Sequence, residues 1–233
     1  MSPLLTPFGP DIWVADGPVV PFFTFPYPTR MAIVRLSTQA LFVWSPIALS
    51  PALKAQVDAL GTVAHIVSPN SIHHLFMGDW QKAYPEARLY ASPDLARKRK
   101  DLAFAATLGN VPESGWAAEI DQVAMEGSFV MTEIVFFHRS SRTAIFADLI
   151  ENFAPGWFKG WRGVLARLDG LTAPDPGAPK EWRATFLNRR KARAALSRIL
   201  AWEAEKAVVA HGALIERGAA EAIRKSFRWL SPA

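Results

Sequence analysis

The sequence predicts an α/β fold, and three observations carry that expectation. Short runs of β-branched and aromatic residues alternate along the chain with segments whose apolar residues recur at helical spacing. Four of the five histidines stand at the C-terminal ends of predicted strands, where α/β sheets open onto a crevice. Half of the 233 residues are hydrophobic and a fifth are charged, so a substantial core can be buried.

The elements follow in order. Residues 1–30 hold Pro3, Pro7, Pro10, Pro18, Pro21, Pro26 and Pro28. Proline lacks an amide donor, so long central strands are not expected there, and 12–15 reads as a short edge strand. Phe22, Phe23, Phe25 and Tyr27 read as aromatics wrapped over a core face. Strands are predicted at 31–36 and 40–44, joined by the polar turn Ser37-Thr38-Gln39. Ser50 caps a helix opened by Pro51, with Leu53, Val57 and Leu60 inward and Gly61 as its stop. A strand at 63–67 leads into a turn carrying His73 and His74, then a helix over 74–84. Arg88-Leu89-Tyr90-Ala91 reads as a strand, Pro93 opens a helix ending in the basic run 97–100, and 101–118 reads as irregular. Strands at 119–125 and 132–137 follow, the second ending at His138. A turn at 140–142 returns the chain through a strand at 143–147 to Asp148. Beyond it come a helix at 160–169, a proline-rich loop at 174–179 and one long helix at 181–203. A strand at 207–210 ends at His211-Gly212, and a helix at 216–229 closes the chain.

Composition excludes several chemistries. Cysteine is absent, which rules out disulfides, thiolate metal sites and cysteine nucleophiles and fits a reducing compartment. The N-terminus shows no basic segment followed by an apolar run, and no apolar run reaches about eighteen residues. The expectation is a cytoplasmic protein with no membrane partner. The formal charge of +5 is mild. The basic runs 97–100 and 189–193 read as solvated helix faces rather than a nucleic-acid surface.

The strand ends carry the chemistry. His73 and His74, His138, Asp148 and His211 are far apart in sequence, and a sheet gathers strand ends along an edge. Imidazole and carboxylate suit Zn, Fe or Mn. Three or four such ligands leave a position for water, the arrangement that makes a hydroxide near neutral pH. The competing reading is that each histidine caps or hydrogen-bonds locally. His65, inside a strand, reads as a core or surface residue.

The order of these residues resembles the metallo-β-lactamase-like superfamily. The phrases Pro69-Asn70-x-x-His73-His74-Leu75-Phe76, Phe136-Phe137-His138-Arg139-Ser140-Ser141-Arg142-Thr143 and Ala147-Asp148-Leu149-Ile150 are similar to one branch of it, a domain of unknown function. The resemblance spans residues 10–230 and implies a single αββα sandwich over 1–233, two sheets face to face with helices outside. The superfamily signature is His-x-His-x-Asp-His, then a lone His, an Asp and a late His. Setting His73-His74 on its Asp-His pair puts Pro69 and Ser71 where the first two histidines belong. The resemblance therefore implies one divalent metal, Zn, Fe or Mn, held by His73, His74, Asp148 and His211. His138 would be a fifth ligand or a supporting donor.

The expected activity is metal-dependent hydrolysis of a small molecule. Three imidazoles and one carboxylate around a divalent ion leave a net positive charge, which favours an anionic substrate. The helical insertion 149–203 is expected to cover the site, since it leaves the sheet directly after Asp148; Trp157, Phe158 and Trp161 within it read as a lid, a homo-oligomer contact or core. Two alternatives stand beside this: a mononuclear iron redox enzyme, and a non-catalytic binding or scaffold descendant of the fold. Asn70 reads as a helix cap or a holder of a histidine, and Asp79 as a first-turn carboxylate or a general base. Arg30, Arg139 and Arg142 read as exposed charges or grips for an anion.

Overall fold

A computed structural model of the chain describes residues 4–172 and 176–231, so Pro3 and residues 174–175 of the predicted loop lie outside the described residues. The strands are β1 (Thr6–Gly9), β2 (Ile12–Phe22), β3 (Phe25–Arg35), β4 (Ala40–Trp44), β5 (Thr62–Val67), β6 (Arg88–Ala91), β7 (Phe104–Thr107), β8 (Ile120–Met125), β9 (Glu133–His138), β10 (Thr143–Phe146) and β11 (Lys206–Val209). The helices are α1 (Pro51–Leu60), α2 (Met77–Ala83), α3 (Leu95–Lys98), α4 (Trp161–Asp169), α5 (Lys180–Ala184), α6 (Arg189–Leu200) and α7 (Ala219–Ser226). Strands β1 to β7 form one sheet in sequence order, and a second sheet runs β11-β10-β9-β8.

Alternation along the strands builds the layers. In β4, Phe42 and Trp44 face the second sheet; in β9, Ile134 and Phe136 face back, and the Phe42 and Phe136 rings meet at 5.3 Å. The other faces take the helices. Leu41 and Val43 pack under Leu53 and Val57 of α1 and under Trp80 of α2. Val135 and Phe137 pack under Ala195 and Ile199 of α6 and Ile223 of α7. The result is the αββα sandwich. Ser50 caps α1 as expected, its Oγ accepting from the Leu53 amide at 3.1 Å.

Four elements depart from expectation. β1 was not expected, and because it takes the edge of the sheet, 12–15 is not an edge strand. Strands β2 and β3 form an eleven-residue hairpin despite Pro18, Pro21, Pro26 and Pro28. Those prolines lie in its outer half, beyond the pairing of β1 with Ile12–Val14 and of β4 with Ala32–Arg35, so each strand there has one neighbour and needs fewer donors. The irregular stretch 101–118 contains β7, a four-residue edge strand. The long helix at 181–203 is broken: α5 ends at Ala184, and Asn188 restarts the chain by accepting from the Lys191 amide at 3.2 Å. Asparagine competes for backbone donors and favours a helix start over an interior.

Candidate metal centre

Strand direction decides which residues meet. β10 and β11 run parallel, so Asp148 and His211, just past their ends, come to the same end of the sheet. β4 and β5 are also parallel, and the turn after β5 brings His73 to that end. The Asp148 carboxylate lies between the two rings, with Oδ2 3.1 Å from His73 Nε2 and Oδ1 3.1 Å from His211 Nε2. All three side chains are buried, and their ligand atoms lie within 4.8 Å of one another.

The far side of each ring is fixed. His211 Nδ1 is 2.7 Å from the Pro28 carbonyl, which only accepts, so Nδ1 carries the proton and Nε2 turns a lone pair on Asp148. Two acceptors at this separation need positive charge between them, either a second proton on the ring or a cation. His73 Nδ1 is 2.8 Å from Ser45 Oγ, again leaving Nε2 toward Asp148. Rings held through one nitrogen so that the other faces inward are the usual support of metal-ligating histidine. The donor set therefore fits a divalent first-row cation.

Acidic groups surround Asp148. Glu133, at the start of β9, accepts from the amides of Ala147, Asp148 and Leu149 at 2.9, 2.8 and 3.3 Å. Asn70 bridges, donating to Asp148 Oδ2 at 2.6 Å and Glu133 Oε2 at 3.2 Å. Its Oδ1 accepts from the amides of Ile72 and His73, so it caps the turn and steadies the histidine together. Burial, then the Asp148 charge, pushes the Glu133 carboxyl up to about 7. Glu151 is raised further for the same two reasons, with the Tyr27 hydroxyl donating to it at 3.3 Å. Burial alone would raise Asp148 and lower His73; their mutual attraction outweighs it, leaving Asp148 depressed and His73 elevated.

His74 and His138 are not brought to this cluster. The residue after His73 in a tight turn points elsewhere, and His74 Nδ1 sits 2.8 Å from Arg99 Nη1. Burial, then Lys98 and Arg99, pushes it down to about 4, surroundings hostile to a cation. His138 fails for a topological reason. β9 runs antiparallel to β10 and pairs His138 with Thr143 at the start of β10, at the opposite end of the sheet from Asp148. There it faces Ser141 Oγ at 2.8 Å and Ser140 Oγ at 3.2 Å. Arg139 binds Asp121 and Arg142 binds Glu205 at that same far end. Arg30 instead serves the centre: its guanidinium donates at 2.7 Å to the carbonyls of Val209 and Gly212, on either side of His211. Glu133 and Glu151 were not anticipated; their signal was a lone acid at each edge of an apolar run.

A cavity of about 450 Å³ opens over the cluster and is lined by His73, Asp148, His211 and Glu151. Pro179, Glu181, Trp182 and Thr185 form part of its wall, so residues of the 149–203 stretch face the cluster. A larger hollow of about 750 Å³, beside Phe8, Lys206 and Arg217, lies at the start of β11, away from this chemistry. Among the described residues no helix is long and apolar enough to cross a membrane.

Comparisons with known proteins agree with the architecture. Residues 11–156 match the family model described as Domain of unknown function (DUF4336). No curated protein matches the sequence. Among solved structures, a metallo-β-lactamase from Pontibacter korlensis superposes with a TM-score of 0.63 at 10% identity, over 97% of both chains. The metallo-β-lactamase FIM-1 from Pseudomonas aeruginosa, in its mono-zinc form, gives 0.63 at 13% identity, over 98% of this chain and 96% of that one. A Synechocystis flavodiiron core, solved after metal soaking, gives 0.63 at 13% identity, over 97% of this chain and 60% of that one. At such identities the likeness shows the metallo-β-lactamase fold.

Proposed function

The chain belongs to the DUF4336 family of domains of unknown function and has the metallo-β-lactamase fold, and from that premise we propose a metal-dependent hydrolase with one divalent cation held by His73, Asp148 and His211. The observation that carries this reading is the pair of rings locked through Nδ1, by Ser45 and the Pro28 carbonyl, with both Nε2 atoms turned on one carboxylate. A cation in that place supplies Lewis-acid activation of water.

The chain's own residues do the rest. Ser45, Pro28 and Asn70 fix the orientation of the ligands. Glu133 ties down the turn that carries Asp148. Glu151 holds a proton on a carboxyl facing the cavity, beside the Tyr27 hydroxyl, and in this reading gives it to the leaving group.

The test is elemental analysis of protein purified without a histidine tag. One equivalent of metal per chain is expected, with His73→Ala and His211→Ala losing it and His74→Ala and His138→Ala keeping it. Metal absent from the parent chain, or lost equally in all four variants, overturns the reading. Two imidazoles and one carboxylate are also the ligand set of non-haem iron oxygenases, so iron retained without hydrolytic turnover points to redox chemistry at the same residues.

A further inference from the structure

Resting on the reading above for the reactive centre, we propose that the cavity takes an uncharged molecule bearing a medium-length aliphatic chain, with side chains that offer nothing to an anion. Three surfaces form its walls. Val20, Phe22 and Phe23 come from the tip of the β2–β3 hairpin. Ile72, Leu75 and Phe76 come from the turn after β5. Val130 and Met131 stand with Trp182. Phe23, Leu75 and Val130 remain 84%, 58% and 56% exposed, so the mouth itself is an apolar rim in contact with water. Exposed apolar side chains gathered round an opening mark a binding site.

The charges point the same way. No lysine or arginine is among the described lining residues, whereas the carboxylates of Asp148 and Glu181 are. Nearby cations are already engaged: Arg30 with Asp16 and two carbonyls, Arg99 with Asp101 and His74, and Lys98 with the Ser71 carbonyl. The expectation of an anionic substrate rested on three imidazoles against one carboxylate. Imidazoles are neutral ligands, so that positive charge belongs to the cation and not to the side chains, and the chelated protein lacks it. An anion entering here loses its water and finds no cationic side chain to replace it. A neutral chain loses little and buries its methylenes against the wall.

The experiment titrates the protein, as purified and again after chelation, with butanamide, hexanamide, octanamide and octanoate, following tryptophan fluorescence and thermal shift. Octanamide is expected to bind more than tenfold tighter than octanoate in the chelated form. Affinity should rise about fourfold for each methylene added to the amide. Val130→Lys, at the exposed rim, should raise octanoate affinity several-fold. Octanoate matching octanamide in the chelated form, or affinity independent of chain length, overturns the proposal. Metal content measured on the same samples separates the two ideas. Protein that carries no metal as purified and still prefers the amide sinks the hydrolase reading alone; metal-loaded protein that prefers the anion once chelated sinks this one alone.

Discussion

His211 donates to the Pro28 carbonyl and thereby aims its other nitrogen at Asp148, so a backbone oxygen 183 residues away sets the ring's chemistry. Glu151 is buried at the cavity wall, and burial, then the Asp148 charge, raises its carboxyl well above the ordinary range. Glu151→Gln keeps the shape and removes the acid. Turnover is expected to fall roughly 10²-fold or more, with metal content unchanged; a variant of full activity would remove Glu151 from the mechanism. His65 offers a separate test at this scale. It is buried against Trp116 and Tyr90 with its Nδ1 unpartnered, and burial, then Arg88, pushes it down to about 4 from the ordinary 6.5. Between those pH values the unfolded chain holds the extra proton, so its contribution is intact above 6.5 and is lost as pH falls toward 4. Urea unfolding at pH 7.5 and 4.5 should show the parent losing about 2 kcal/mol more than His65→Leu over that interval.

At the scale of elements, the β2–β3 hairpin is both wall and anchor. Its tip lines the cavity, while Pro28 and Arg30 near its middle hold the His211 turn. Gly212 in that turn has φ +94°, and a Cβ there would run into the Asn152 carbonyl, so the chain can follow this path only with glycine. Arg30→Met removes two charge-assisted hydrogen bonds to that turn. Stability should fall by about 2–3 kcal/mol in denaturant titration, and metal should be retained roughly tenfold more weakly against a chelator series. Unchanged metal retention would mean that the turn needs no support from β3. The break between α5 and α6 likewise serves the site: it leaves Trp182 and Thr185 against the cavity while Ala195 and Ile199 of α6 pack on the second sheet.

Across the whole molecule, the two sheets share one buried layer, and Phe136 lies near its middle against Phe42. Phe136→Ala should cost about 3–5 kcal/mol by equilibrium unfolding. Because both sheets supply the ends that carry the proposed ligands, the variant is also expected to release metal at lower denaturant than the parent; metal release at the parental midpoint would show a centre indifferent to the sandwich.

The sequence by itself determined most of the strands and helices, the sandwich through its resemblance, and the strand ends as candidates for chemistry, because period and cap chemistry are local; β1, β7 and the break after Ala184 it did not show. It marked His73, His74, His138, Asp148 and His211 alike as candidates; the parallel pairing of β10 with β11 and the turn after β5 bring three of them, His73, Asp148 and His211, to one end. Only the tertiary structure decided that His138 stands at the opposite end and that Glu133, at the other terminus of the same strand, belongs beside Asp148. Strand polarity within a sheet is a property of pairing, which no single segment encodes. Likewise His74 turns to Arg99 rather than to Asp148 because two consecutive side chains in one turn cannot share a direction.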